Sequence, residues 1–576
     1  IDFTSFKNQV LNDYKLACES REASLLGRKE VLTGKAKFGI FGDGKELAQI
    51  ALSKQFRNGD FRSGYYRDQT IMLAIDELTI EQYFSGLYAH TDVEIEPQSA
   101  GRQMGGHYAT RNLDESGAWK NLMDQKNSSS DISPTAGQMP RLVGLAQASK
   151  VYRSNSNLSG LKKTKKFSDN GNEVAFGTIG DASTSEGPFW ESINAAGVMQ
   201  IPLVMSVWDD GYGISVPRKY QTTKGSISDA LAGMQRTETK DGYEIFVTRG
   251  WDYPHLCETY EKAVKLAREE HVPVLIHVKE VNQPQGHSTS GSHERYKSSE
   301  RLQWEKDFDC IEKFKSWILD FNANGNIIAN LDELEKIQTE SKQKVKDAKN
   351  KSWKLYTNDI SIDLNEACSQ LKSLAQVSSQ KVFIEKEIEV LEKAFEPIRK
   401  DIISTVRKVI RMVSTENNNE KQKLADWVKT ILNKANNRYS SHLYSESPES
   451  VLKAPHIPAT YNDDTKMEDG RIILRENFKK QLEKIPELLI FGEDAGKIGG
   501  VNQSLEGLQE QFGEERVFDT GIRECTIVGQ GIGNMFTGCF GGLPGAGATM
   551  RTLVNVNAGG KTRLSGVIHA LLLLLI

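Results

Sequence analysis

The chain has 576 residues, a formal net charge of −4, and 26% charged against 38% hydrophobic residues. That length can bury more than one core and suggests three or four domains, and the charge balance gives no sign of a nucleic-acid surface as the main partner. Six cysteines (Cys18, Cys257, Cys310, Cys368, Cys525 and Cys539) stand without a C-x-x-C pair, which disfavours a disulfide framework or structural zinc and fits a reducing, cytoplasmic setting.

No basic-plus-apolar leader opens the chain, and it begins at Ile1 rather than Met, so the natural start is expected upstream. Residues 1–60 read as helices, with Val10, Tyr14 and Ala17 at helical spacing. Gly42-Asp43-Gly44 reads as a turn, because the nearest acidic pair downstream, Asp76-Glu77, lies inside a helical pattern rather than at a strand end. Next comes Gly64-Tyr65-Tyr66-Arg67-Asp68, followed by an amphipathic helix through Ile80. The Arg67 guanidinium suits a phosphate, and an ion pair with Asp68 is the plainer alternative. Gly101-Arg102-Gln103-Met104-Gly105-Gly106-His107-Tyr108 is a Gly-rich loop of functional composition. Residues 133–140, Ser133 and Thr135 among them, introduce a helix through Val151.

Residues 174–179 form an apolar strand pattern ending on Gly180-Asp181, with Ala182 and Ser183 following. A helical pattern covers 186–199, and a second apolar strand, 203–208, ends on Asp209-Asp210-Gly211-Tyr212. A strand–helix–strand unit implies a parallel sheet, with both acidic tips at its carboxyl edge, where α/β sheets bind ligands. Carboxylates beside a Ser-rich helix start suit a hard divalent cation and the phosphate it carries. Each half alone would pass as a turn or a cap; the pairing points to a site. A helix near 255–270 and a strand at 272–278 lead into a Gly/Ser loop carrying His287, at the same edge as Asp181 and Asp210. His287 is either solvent decoration or the site's proton carrier.

From 332 to about 413 the chain turns to Lys, Glu and Gln, with one apolar stripe from Ile384 to Val413 that Pro397 should kink or split. That stripe reads as packing. Residues 436–464 have linker composition. A second α/β unit starts near Met467: a helix over 471–483, a strand over 488–491 ending on Gly492-Glu493-Asp494, and the run Asp519-Thr520-Gly521-Ile522-Arg523-Glu524 before a helix over 525–535. Glu524 alone would read as a helix-dipole partner.

Together these stretches resemble the E1 component of thiamine-diphosphate-dependent 2-oxo acid dehydrogenases. The family's GDG…NN motif is matched by Gly180-Asp181 through Asp209-Asp210, with Ser185-Glu186-Gly187, Asn194 and Gly211-Tyr212-x-Ile214-Ser215 around it. The resemblance implies an α/β thiamine-diphosphate-binding fold, parallel sheets flanked by helices, with an α-like part (1–355), a helical insert and linker (356–466) and an incomplete β-like pyrimidine-binding part (467–540). It implies thiamine diphosphate and Mg²⁺, the metal held by Asp181, Asp210 and the Tyr212 carbonyl. Cofactor contacts would come from Tyr66, Arg67, Ser133, Thr135, Gly180, Ala182, Ser183, Ile214, His287, Glu493 and Ile522. Glu524 would hydrogen-bond the pyrimidine N1′ and favour the tautomer that accepts the thiazolium proton, and His287 would assist transfer to the lipoyl group of an E2 acyltransferase.

Gly101-Arg102-Gln103-Met104 with His107-Tyr108 looks closest to branched-chain enzymes, making 2-oxoisovalerate the expected substrate and pyruvate the alternative. A homo-oligomer of fused chains is expected, with neither nucleic acid nor membrane as partner. A non-catalytic cofactor-binding or docking fragment is the alternative of another class. Four positions depart from the family: Ala182 for Gly, Asp209 and Asp210 for the Asn pair, and Gln283 for an Arg four residues before the loop histidine. Residues 541–576 suggest no family and read as a shifted frame or a broken gene model, and their apolar end (566–576) is too short to span a bilayer.

Overall fold

A computed structural model describes residues 2–537, except Met104, Ser159, Gly160, Ser290, residues 442–446, Glu449 and Ala459. Met104 of the Gly-rich loop and the tail beyond residue 540 therefore lie outside the described residues.

The first half alternates helix and strand. Helices α1 (Phe3–Leu32) and α2 (Glu46–Ser53) precede strand β1 (Phe61–Ser63). Helices α3 (Gln69–Ala74) and α4 (Ile80–Leu87), strand β2 (Asn127–Ser128) and helix α5 (Met139–Ser154) follow. Strand β3 (Ala175–Gly180), helix α6 (Gly187–Met199) and strand β4 (Leu203–Trp208) form the anticipated crossover unit. A small hairpin, β5 (Tyr212–Gly213) with β6 (Val216–Pro217), precedes helix α7 (Ile227–Ala230), strand β7 (Glu244–Arg249), helix α8 (Tyr253–Glu270) and strand β8 (Val274–Lys279).

Six strands form one parallel sheet in the order β2-β1-β3-β4-β8-β7. Central strands β3, β4 and β8 are buried on both faces, as their unbroken apolar runs require. In register, Gly180 lies opposite Trp208 and Trp208 opposite Val278, so three chain segments leave the sheet side by side at its carboxyl edge. One helix layer, with α1, α2 and α8, packs on one core; α5 and α6 pack on the other.

Helices α9 (Ser299–Asp307) and α10 (Cys310–Asp320) and a short hairpin, β9 (Asn322–Ala323) with β10 (Asn326–Ile327), lead to α11, Leu331–Val377, 47 residues long. At 1.5 Å per residue it spans about 70 Å. Its first half (Leu334, Val345, Ala348) completes the core of the sheet unit, and its second half (Ile360 to Ala375) joins a separate core with helices α12 (Lys381–Glu392), α13 (Arg399–Met412) and α14 (Asn419–Ser440). Pro397 lies in the break between α12 and α13.

The last unit holds α15 (Gly470–Lys484), β11 (Ile490–Gly492), α16 (Leu508–Phe512), β12 (Val517–Asp519) and α17 (Glu524–Phe536), with β11 and β12 paired in parallel. Helix α17 lies against α5 through glycines. A Cβ at Gly533 would stand 2.2 Å from the Arg141 carbonyl, and one at Gly144 2.1 Å from that of Gln530.

Several sequence expectations are corrected. The single helix through Ile80 is two, α3 and α4. Asp76 breaks it in the left-handed region (φ 62°), so Asp76-Glu77 lies in a turn, and Thr79 with Gln82 caps the restart. Helix α14 runs to Ser440, past the expected linker start at 436, carried by the stripe Leu424, Trp427, Val428 and Ile431. Helix α11 also passes straight through residue 355, where a domain boundary is expected.

Candidate functional site

The carboxyl edge collects three carboxylates. The Asp181 amide donates to the Trp208 carbonyl (3.1 Å), which fixes the start of the β3 loop against the end of β4. A Cβ on Gly213 would come within 2.9 Å of the Ala182 Cβ, so the two motif halves touch. Asp181 is buried, and burial, then Asp210 and Asp209, push its carboxyl well above the ordinary range. Its Oδ2 and the Oδ1 of Asp209 are buried without a hydrogen-bond partner. Paired like charges with unsatisfied oxygens fit a hard cation, which would supply what both atoms lack. Among the described residues no group of three or more His, Cys, Asp or Glu side chains has metal-site geometry. A donor set of two carboxylates and the Tyr212 carbonyl is smaller than that, and Mg²⁺ commonly completes its shell with phosphate oxygens and water.

Asp209 is balanced from behind. Burial would raise its pKa, but the hydrogen bond from His277 and the charge of Arg218 outweigh burial and hold it below the usual range. Its Oδ2 lies 2.5 Å from Arg218 Nη1 and 3.0 Å from His277 Nε2, and His277 Nδ1 is 2.9 Å from Ser228 Oγ. His277 is fully buried in β8 and was invisible inside an apolar run.

A small cavity is lined by Asp210, Arg67 and His287, with Tyr212, Ile214, Gln283, Tyr296 and Lys297 completing its wall. Arg67 is 5% exposed and does not pair with Asp68, whose partner is Arg62 at 2.7 Å. Its Nη1 donates to the Phe41 carbonyl (2.6 Å), and its Nη2 reaches the His287 carbonyl (2.8 Å) and Nδ1 (3.0 Å). Because a guanidinium only donates, His287 Nδ1 accepts and the ring proton sits on Nε2. Burial, then Arg67, lowers the His287 pKa to about 4, so the half-buried ring is neutral at pH 7. Lys45, which sequence reading passed over in the turn at Gly42-Asp43-Gly44, lies 3.6 Å from Asp210 Oδ2.

Tyr66 faces the Gly-rich loop: its ring is 6.2 Å from that of His107, whose Nε2 is 3.0 Å from Ser133 Oγ. Thr135 Oγ1 is 3.4 Å from a Glu186 carboxylate oxygen at the start of α6. Tyr66, Ser133, Thr135, Gly180, Ala182, Ser183 and Ile214 thus belong to segments around the carboxylate edge, with Ile214 exposed at φ 59°.

Glu493, Ile522 and Glu524 sit on the last unit. Glu493 Oε1 is buried without a partner, Ile522 is 85% exposed, and Glu524 is exposed at the first residue of α17. Their neighbours lead away from the cluster: Arg523 reaches the Met199 sulfur (3.6 Å) at the far end of α6, and Thr526 bonds Glu191 (2.9 Å). Helix α6 is 13 residues long, about 20 Å.

Residues 19–359 match the family described as Dehydrogenase E1 component. The chain belongs to this E1 family. An alpha subunit of 2-oxoisovalerate dehydrogenase from Bacillus subtilis is 26% identical over 319 residues, covering 55% of this chain and 84% of that protein. A pyruvate dehydrogenase E1 component subunit beta from Staphylococcus epidermidis is 45% identical over 65 residues, 11% of this chain and 20% of that protein. The E1 chain also carries a second likeness. Residues 524–576 match the Sulfate permease family, and the bicarbonate transporter BicA of Synechocystis is 62% identical over 50 residues, 9% of each protein. The tail expected to lack any family resemblance therefore has one, and a shifted frame would not reproduce another family's residues in order. Among the described residues no helix is long and apolar enough to cross a membrane.

Proposed function

We propose that this E1 chain binds thiamine diphosphate and Mg²⁺ and decarboxylates a branched-chain 2-oxo acid, passing the acyl unit to the lipoyl group of an E2 acyltransferase. The observation that carries the reading is the juxtaposition of buried, unsatisfied Asp181 with Asp210, Arg67 and His287 at one sheet edge. Asp181, Asp210 and the Tyr212 carbonyl would hold the metal, and Arg67, braced by Phe41 and His287, would bind phosphate oxygen. When bound, thiamine diphosphate supplies the electron sink for decarboxylation. His287 keeps a proton on Nε2 in a neutral ring, a donor at pH 7 that adds no positive charge beside Arg67. The likeness to a 2-oxoisovalerate dehydrogenase supports the branched-chain substrate. Glu524 is exposed and follows Arg523, which contacts Met199 at the end of α6 remote from the Asp181 loop, and this supports a homo-oligomer in which one chain's Glu524 serves another chain's edge.

Calorimetry with thiamine diphosphate tests the site: Mg²⁺-dependent binding is expected, with loss of affinity in Asp181→Ala. Unchanged affinity in that variant would remove Asp181 from the metal role. Reduction of an artificial electron acceptor, compared between 2-oxoisovalerate and pyruvate, tests substrate choice. A second reading, a chain that binds the diphosphate end without turning over, is favoured by the permease likeness that begins at Glu524 itself. Cofactor binding without oxo-acid-dependent reduction would establish it.

A further inference from the structure

Lys45 immediately follows the turn Gly42-Asp43-Gly44 and precedes α2. Gly44 has φ +85°, and a Cβ there would stand 2.2 Å from the Asn282 carbonyl oxygen. Only a residue without a side chain lets this turn press so closely on the segment after β8. That approach turns the Lys45 side chain inward, where it is 2% exposed. Its Nζ donates to Gln283 Oε1 (2.6 Å) and to the Asn282 carbonyl (3.3 Å), and the Asp210 carboxylate is a loose 3.6 Å away. Both Gln283 and Asp210 line the cavity shared with Arg67 and His287.

A buried ammonium held by two neutral oxygens, with the Asp210 carboxylate 3.6 Å away and those of Asp43 and Glu46 acting on it from farther off, is poorly compensated. Once Asp210 turns to a cation, Lys45 loses its nearest counter-charge, unless an anion occupies the cavity. We propose that Lys45 is a diphosphate-binding residue of this chain, its ammonium donating to a phosphate oxygen between Asp210 and Gln283. The inference rests on the reading of this cavity as a diphosphate site and adds to Arg67 a cation from a different segment, the turn before α2.

The test is calorimetric titration of the full chain with Mg²⁺ plus either thiamine diphosphate or inorganic pyrophosphate. Lys45→Gln, which can keep donors toward Gln283 and Asn282 while removing the charge, is compared with Lys45→Met. Both variants should bind both ligands on the order of 10- to 100-fold more weakly, as expected for a lost charge-assisted hydrogen bond. Adding Gln283→Arg to Lys45→Gln should restore most of the affinity. Thermal melts without ligand check that each variant is folded. Wild-type protein that binds while Lys45→Gln binds within twofold of it overturns this inference alone. Wild-type protein that binds neither ligand overturns the reading of the cavity and this inference with it.

Discussion

Asp209 is the third carboxylate at the sheet edge, and Arg218 with His277 offsets its charge. The expected consequence is a double-mutant coupling. Arg218→Gln should raise the Mg²⁺ concentration needed for thiamine diphosphate binding several-fold, and do nothing further in an Asp209→Asn background. Binding titrations at several Mg²⁺ concentrations read this directly, and equal effects in both backgrounds would refute it. A second residue-scale prediction concerns His271, whose Nε2 is 2.9 Å from the Gly171 carbonyl and whose pKa burial lowers to about 4. The unfolded chain binds this proton more readily, so stability should fall as pH drops from about 6.5 toward 4. The melting temperature of His271→Gln should slope less steeply across that window. Asp181, Asp210 and His287 were legible because each follows an apolar run that could only be a buried strand. Lys45 and His277 were not: one stands beside a turn and the other inside such a run, and each acquires meaning only from a partner far along the chain.

At the scale of elements, short strands escaped the sequence for a definite reason. Strand β1 is only Phe61-Arg62-Ser63, too short to show a period, and its fully buried Arg62 is paired with Asp68 and Asp131. Strand β7 also passed unnoticed; it pairs only with β8 and has partly exposed faces, so it lacks the apolar run that marked its neighbours. The crossing of α5 and α17 makes an element-scale prediction. Gly533→Val would force a side chain into the Arg141 carbonyl, an overpacking cost of about 1–3 kcal/mol or more. Hydrogen exchange should then rise over 524–537 while the six-stranded sheet stays protected; uniform exchange changes would refute it.

For the whole molecule, the sheet unit and the helical bundle have separate cores joined along α11. Val406 is fully buried in the bundle, so Val406→Asp should melt α12–α14 with the sheet unit intact, giving two calorimetric transitions in place of one. If one chain's Glu524 completes another's carboxylate edge, mixing inactive Asp181→Ala and Glu524→Gln chains should recover activity through the hybrid's one intact site. Failure of exchanged mixtures to recover any activity would place both residues in one chain's site.

Helix α11 has a consequence for reach. Its 47 residues run unbroken from one core into the other, so the seam between two folding units is a rod and not a tether. A flexible linker would let the bundle sample a volume around the carboxylate edge; a continuous helix fixes both distance and bearing. Any macromolecule that grips the bundle is thereby delivered to a set place beside the sheet, and inserting residues into α11 would swing that place around the helix axis by about 100° for each one added.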